Sequence, residues 1–267
     1  MAWTAFPHMD DAWVYSAAAL KLAWPQLHLG DSEPFPKKPA LVEAWMAFHA
    51  GHFARAARLG LDVGVEGYSV AHKATCIYAN YLEPNARKKC ALFEEVAERC
   101  DRHQIEQPDN PAGYYWQAYA LGRYAQGISI VKALAQGIAP KVRAGLDKAI
   151  RLAPAHADAQ IALGTYQAEI IATVGALIAG LTYGARKIDC YTAFQKGLAF
   201  DPESAIGRIE YAHAMLGLEG KKRSDEALVL YRQAAAFTPR DATGWLDIEA
   251  ARAAAQAAQA QTAQGGQ

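Results

Sequence analysis

The sequence predicts an all-α protein built from stacked helical hairpins. The stretch 111–154 carries the pattern of one unit: a long helix rich in aromatic residues, then a shorter helix that ends at Pro154. The segments 157–202 and 205–239 repeat this order and end in LAFDP and AAAFTP. Because proline cannot continue a helix, each of these prolines closes a unit. Stacked hairpins of this kind form a solenoid in which each unit packs on its neighbours.

The bulk composition excludes several classes of partner. Lys and Arg together number 27, Asp and Glu together also number 27, and the formal net charge is zero. A neutral chain has no global field that attracts nucleic acid or an anionic membrane, so we expect neither as a partner. Hydrophobic residues make up 52% of the chain, which is enough apolar surface to bury a core.

The cysteines and the first residues bear on location. The four cysteines form no CxxC pair and no zinc-like spacing with histidine. We interpret them as buried thiols of a reducing compartment. The first residues, MAWTAFPHMDDAW, lack the basic start and apolar core of a signal peptide. The sequence therefore predicts a cytoplasmic protein.

Residues 1–38 are predicted to cap the N-terminal end of the array. A helix is expected over 10–24, with two aspartates at its start, where the helix dipole favours them, and Pro25 after its end. Residues 26–38 contain glycine and prolines without helical periodicity, which indicates a loop.

The segment 39–62 predicts the first hairpin. Trp45 and Phe48 precede Gly51, and Phe53 and the pair Ala56-Ala57 follow it. This order places glycine at the turn and small residues where two helices approach closely, which is typical of tetratricopeptide units. A second pair is expected over 68–81 and 85–103, with a break at Glu83-Pro84.

The later hairpins continue the array to residue 244. Asn110 can cap the first helix of the third hairpin, with Pro111 at its first position. The fifth hairpin covers 204–237, and Asp241 then caps a last helix. We therefore predict a tetratricopeptide-like α-α superhelix of about five hairpins over 39–244. Residues 245–267 are predicted to form a C-terminal capping helix and an Ala/Gln-rich frayed tail.

The fourth hairpin contains an insertion. Pro154 and Pro202 are 48 residues apart, whereas a tetratricopeptide unit has about 34. The extra length is the apolar run 170–185, which has no charge between Glu169 and Arg186. This run contains three glycines and falls short of the roughly 20 apolar residues of a spanning helix. The sequence favours burial in the array, or a role as the wall of an apolar pocket, over membrane contact.

Several motifs resemble those of known families. The sequences NPAGYYW at 110–116, DKAIRLAP at 147–154 and ALG at 162–164 resemble the tetratricopeptide-like proteins related to regulator of microtubule dynamics. The Leu163-Gly164 helix, the insertion and the helix that contains Phe194 are similar, more distantly, to the T-component of TRAP transporters. Both resemblances imply an all-helical, non-enzymatic binding protein.

No motif of catalysis or metal binding is present. The glycines do not form a phosphate-binding loop, and no GxSxG sequence occurs. His49 and His52 are separated by the predicted turn at Gly51, so they need not share a face. Glu210 and His213 form one ExxH step, whereas di-metal bundles need two. We therefore expect no enzyme, no metal and no cofactor.

The first helices of the hairpins carry the candidate binding site, because these helices line the concave face of such arrays. Tyrosine and tryptophan combine apolar area with a polar handle, and the neighbouring charged groups supply direction. The alternative role for each aromatic residue is core packing. The candidate residues are Tyr115, Trp116, Tyr119, Arg123, Tyr166, Glu169 and Tyr183.

These observations predict a non-enzymatic binding or scaffold protein. We expect it to capture a protein or peptide partner in the concave groove. The alternative is a carrier for an apolar small molecule, held in an internal pocket lined by the 170–185 segment and the aromatic residues of 115–124. The sequence leaves self-association into a homo-oligomer open.

Overall fold

The computed structural model describes residues 3–265, with side chains to residue 260. These residues form α-helices and short 3-10 turns without any strand, which confirms the all-α prediction. The chain divides into two compact units. The first contains the chain up to Pro154 together with Arg240–Thr243, and the second contains Ala155–Pro239 and the chain from Gly244 onward.

The first unit consists of consecutive antiparallel helices. Its helix pairs α2 with α3, α5 with α6 and α6 with α8 pack side by side, and α4 packs between α3 and α5. The helices are α1 (Ala17–Leu27), α2 (Pro39–His49), α3 (Phe53–Val63), α4 (Tyr68–Tyr81), α5 (Ala86–Glu106), α6 (Pro111–Ile128), α7 (Ile130–Ala135) and α8 (Ile138–Leu152).

The second unit repeats the hairpin arrangement. Helix α9 packs on α11 and on α12, and α12 packs on α13. Ile248, Ala251 and Ala255 of the last helix share a core with residues of α12 and α13. The helices are α9 (Ala157–Val174), α10 (Ala176–Tyr183), α11 (Lys187–Phe200), α12 (Ala205–Glu219), α13 (Ser224–Ala235) and α14 (Ala242–Gly265).

Local signals fix the ends of these helices as predicted. The Asn110 side chain accepts a hydrogen bond from the Ala112 N–H at 3.0 Å, and Pro111 is the first residue of α6. Gly51 has φ +84°, a left-handed conformation that suits glycine, and it turns the chain from α2 into α3. The hairpin pattern of the sequence is therefore confirmed in both units.

The predicted first helix is wrong in its bounds. Residues 11–13 form only a 3-10 turn, and α1 starts at Ala17, where the Ser16 hydroxyl accepts a hydrogen bond from the Ala19 N–H. Pro25 lies inside α1 and does not end it. In the last turn a proline removes only one backbone hydrogen bond, so the helix continues for two more residues.

Three further predictions concern the domain limits, the C-terminal end and membrane contact. The domain limits at residues 38 and 244 stay a prediction. Helix α14 reaches Gly265, and the predicted frayed end falls partly on residues 266 and 267, outside the described residues. Within residues 3–265, no helix combines the length and apolarity that a membrane crossing requires.

Candidate functional site

The aromatic residues of α6 form one cluster in the first unit. The ring centroids of Tyr115 and Trp116 are 4.8 Å apart, and those of Trp116 and Tyr119 are 5.3 Å apart. Tyr115 and Trp116 are buried, whereas Tyr119 is half-buried. The Arg123 guanidinium carbon lies 5.3 Å from the centroid of the Tyr119 ring. Tyr119 and Arg123 are thus the members of this cluster that reach solvent.

The other three candidate residues lie in the second unit. Tyr166 is buried in α9, and Glu169, one turn further on, is half-buried. Tyr183 is the last residue of α10 and is also half-buried. The structure therefore groups the α6 residues in one unit and the α9 and α10 residues in the other, and their role as a binding site stays a prediction.

Within the apolar insertion, residues 170–174 end α9, and Ala176–Tyr183 form the short helix α10, which has an exposed apolar face. Helix α10 packs on α9. Ala179 and Ala185 are fully buried, and the Ala185 N–H donates to the Ala179 carbonyl at 3.0 Å. The exposed fractions of three larger side chains are 76% for Leu177, 52% for Ile178 and 82% for Leu181.

Burial was the wrong expectation for these three side chains. Gly175 and Gly184 flank α10 with φ values of +80° and +61°, so the chain changes direction before and after this helix. The helix packs on α9, and its small Ala179 side chain is fully buried. The long apolar side chains therefore face solvent instead of lining an interior wall. We name Leu177, Ile178 and Leu181 the α10 face.

The charged residues that follow α10 are paired with each other. Arg186 contacts Asp189 at 2.6 Å, and Lys187 contacts Glu219 at 2.9 Å. A hydrogen bond from the Tyr191 hydroxyl, followed by that from Lys187, lowers the pKa of Glu219 to about 2. Glu219 is therefore ionised at neutral pH, and the charges of these two ion pairs sum to zero.

The first unit contains a buried hydrogen-bonded network of polar side chains that the sequence does not predict. His28 Nδ1 lies 2.8 Å from Asp31 Oδ1, and His49 Nδ1 lies 2.8 Å from Asp241 Oδ2. The two Nε2 atoms face each other at 3.3 Å. Lys73 Nζ donates to Asp31 Oδ2 at 2.6 Å. All five residues are buried.

Burial shifts the pKa values of the side chains in and beside this network. It lowers the pKa of His28 to about 4 and raises the pKa of Glu33, next to Asp31, to about 8. Burial alone raises the pKa of Asp31 too, but the nearby His28 and Lys73 hold it well below the ordinary value. At neutral pH His28 therefore stays uncharged, Glu33 is mostly protonated and Asp31 is ionised.

No motif or spacing in the sequence predicts this buried network. His28, Asp31 and Glu33 lie in or beside a loop, and Asp241 is 192 residues from His49. The sequence predicts helix capping for Asp241 and indicates no partner for His49 by spacing. Only the tertiary packing of Arg240–Thr243 in the first unit brings these groups together.

A second buried polar group lies between α4, α5 and α6. Arg99 Nε donates to His72 Nδ1 at 3.3 Å, and His103 Nε2 is 3.2 Å from Gln107 Oε1. His72 Nε2, His103 Nδ1 and Arg99 Nη2 are buried without a hydrogen-bond partner among the described residues. Burial lowers the pKa of both histidines, and Arg99 adds to the effect on His72.

The two buried histidine clusters lack the ligand set of a metal site among the described side chains. Among the residues whose side chains are described, no set of three or more His, Cys, Asp or Glu could hold a metal ion. Structural metal sites usually use four such ligands.

The paired helices and their glycine turns define a protein of the all-α, tetratricopeptide-like class. The fold is similar to the crystal structure of a thermophilic tetratricopeptide-repeat protein from Thermus thermophilus, with a TM-score of 0.54 and 17% sequence identity. The match covers 79% of this chain and 96% of that chain.

The sequence comparisons add no family. No family model matches the chain, and no curated protein matches it. The structural similarity supports the tetratricopeptide-like fold, while the resemblances to regulator of microtubule dynamics and to the TRAP T-component stay predictions.

Proposed function

We propose that the chain is a non-enzymatic binding protein that captures a polypeptide partner, with the α10 face as its principal contact. The observation that carries this proposal is an uncharged helix of eight residues with three large apolar side chains in solvent. Contiguous exposed apolar residues with polar neighbours are typical of protein interaction sites. The tetratricopeptide-like fold is consistent with this role.

The area on the α10 face is large enough to act as an anchor. Complete burial of one exposed Leu or Ile side chain stabilises a complex by about 1.5–3 kcal/mol. Three such side chains, already partly covered, therefore contribute about 4 kcal/mol when a partner covers them. The loss of translational and rotational entropy on association costs at least as much free energy. Further contacts therefore have to supply the remaining affinity.

The charges favour a polypeptide over a lipid surface. Helices that lie on membranes depend on free Lys and Arg residues beside their apolar face. Here Arg186 and Lys187 are both paired with carboxylates. An apolar centre with few free charges matches the anatomy of protein interfaces.

The residues predicted from the sequence take two roles in this proposal. Tyr119, Arg123, Glu169 and Tyr183 are half-buried, so part of each is available to a partner. Tyr115, Trp116 and Tyr166 are buried and hold their neighbours in position. We also infer a cytoplasmic location, which the four free cysteines support because a reducing compartment keeps thiols unpaired.

Site-specific photo-crosslinking in the native cells tests this function. A photoreactive amino acid at position 181 should yield a discrete polypeptide adduct, and the same amino acid at position 22 should not. Leu22 in α1 is the matched control because it is apolar and 85% exposed. An adduct with lipid, with a second copy of this chain, or equal adducts at both positions would overturn the proposal.

The captured polypeptide is then purified and its affinity measured. The double variant Leu177→Ser, Leu181→Ser should weaken binding at least tenfold, because two anchors lose their apolar contact. The variant Leu22→Ser should bind like the wild type. If the double variant binds with unchanged affinity, the α10 face is not the contact.

A further inference from the structure

Two histidines in the first unit face each other in an arrangement that needs an additional proton. His28 Nε2 and His49 Nε2 are 3.3 Å apart, within hydrogen-bond distance. Each ring also has its Nδ1 at 2.8 Å from a carboxylate oxygen. An ionised carboxylate only accepts hydrogen bonds, so each Nδ1 carries a hydrogen and donates it.

This assignment leaves both Nε2 atoms without a hydrogen when the rings are neutral. Two lone pairs would then point at each other across 3.3 Å, which is repulsive. One proton on either Nε2 converts the contact into a hydrogen bond between an imidazolium and an imidazole.

We propose that His28 and His49 form a binding site for a single proton, shared between their Nε2 atoms. The proton links the loop after α1, the end of α2 and Asp241, the residue before α14. This site is independent of the α10 face.

Carboxyl groups beside both rings favour a bound proton. Asp31 lies 2.8 Å from His28 Nδ1, and Asp241 lies 2.8 Å from His49 Nδ1. A carboxylate at this distance stabilises a positive charge on the imidazole ring.

Two neighbouring titratable groups, Glu33 and Tyr15, are uncharged or mostly uncharged at neutral pH. Glu33 is mostly uncharged there, because burial raises its pKa to about 8. Tyr15 packs edge-on to the His49 ring at 6.2 Å and donates its hydroxyl hydrogen to the Arg240 carbonyl at 2.8 Å. Burial, followed by the Asp241 carboxylate, raises the pKa of Tyr15, and the Arg240 cation lowers it, so Tyr15 stays neutral too.

His28 is the acceptor in this contact. Burial lowers the pKa of His28 to about 4, so His28 acts as the acceptor above that pH. The Asp241 carboxylate at His49 Nδ1 stabilises the positive charge on the His49 ring.

The surroundings of the pair suit a proton and not a larger ligand. The Trp24 ring stacks on His28 with centroids 3.8 Å apart, and the Trp45 ring packs edge-on at 4.7 Å. Both histidines are buried. Among the described side chains no third ligand completes a metal site with them.

Nitrogen-15 NMR of histidine-labelled full-length protein tests the proposal directly. At pH 7, after treatment with a chelator, both Nδ1 atoms should be protonated, and one Nε2 proton should couple to the nitrogens of both rings. A ring with a bare Nδ1, or two bare Nε2 atoms, would overturn the shared proton. Signals that change on chelation would indicate a metal and would also overturn it.

Matched variants connect the proton to Asp241. The variant Asp241→Asn removes the carboxylate beside His49, so the pair should bind its proton at least tenfold more weakly, which appears as loss of the shared Nε2 proton signal at a pH at least one unit lower. The control Asp189→Asn breaks an exposed ion pair in the second unit and should leave this titration unchanged. An equal titration in both variants would contradict the role of Asp241.

If Asp241→Asn does not fold, the wild-type spectrum still decides the question. The variant His52→Gln, at an exposed residue three positions after His49, assigns signals without disturbing the pair.

Discussion

At the scale of single residues, glycine decides where this chain can turn. Gly51 has a left-handed φ of +84°, and a Cβ added there would lie 2.5 Å from the Phe6 ring. Both constraints act on the same turn between α2 and α3. In contrast, a Cβ at Gly122, inside α6, would have no packing neighbour within 4 Å beyond the adjacent residues and the backbone of its own helix.

These two glycines give opposite predictions on substitution. Gly51→Ala should destabilise the protein by about 2 kcal/mol, because an L-residue is strained at positive φ and Phe6 has to move. Gly122→Ala should stabilise it by about 0.5–1 kcal/mol, because alanine favours the helix and meets no neighbour. Urea unfolding followed by tryptophan fluorescence measures both. Equal effects of the two substitutions would contradict this account of Gly51.

At the scale of the element, α10 combines a buried small-residue side with an exposed apolar side. Ala179 is fully buried, while Leu177 and Leu181 are mostly exposed. We therefore expect the packing of α10 to depend on the buried Ala179 side chain and to depend little on the large exposed apolar side chains.

This division of roles predicts a contrast between two substitutions in α10. Ala179→Leu should weaken the packing of α10 on α9 by about 1–3 kcal/mol, because extra methylene groups do not fit a filled contact. Leu177→Ala should change stability by less than about 0.5 kcal/mol. Hydrogen exchange of the α10 amides reports the difference. Faster exchange in Leu177→Ala than in Ala179→Leu would show that the exposed side holds the helix.

At the scale of the whole molecule, local signals determined which predictions succeeded. Asn110-Pro111 and Gly51 act on their own backbone, so the sequence predicted those helix ends. The direction of α10 depends on which of its sides meets α9, and an apolar run without charges does not encode that choice. The contact of His49 with Asp241 joins residues 192 positions apart and leaves no periodic trace.

Acid should destabilise the protein below about pH 6.5. The pKa of His28 is about 4 in the folded state, below the 6.5 of an unfolded histidine, so the unfolded chain binds this proton first as pH falls. The corresponding stability is present above about pH 6.5 and is lost towards pH 4, a loss of about 3 kcal/mol. Burial lowers the pKa of His72 and His103 as well, so they act in the same direction.

Base should also destabilise the protein, through Glu33. Its folded pKa of about 8 exceeds its ordinary value of 4.5, so the unfolded chain releases this proton first as pH rises. Between about pH 4.5 and 6.5 the three histidines raise the free energy of unfolding with pH by more than this single carboxyl lowers it. Above about pH 6.5 the histidines no longer contribute, and the carboxyl lowers the free energy of unfolding. Denaturation midpoints measured from about pH 4 to 9 should therefore peak near pH 6.5. In Glu33→Gln the fall above the peak should become shallower while the acid side stays, and an unchanged alkaline side would exclude Glu33 as its cause.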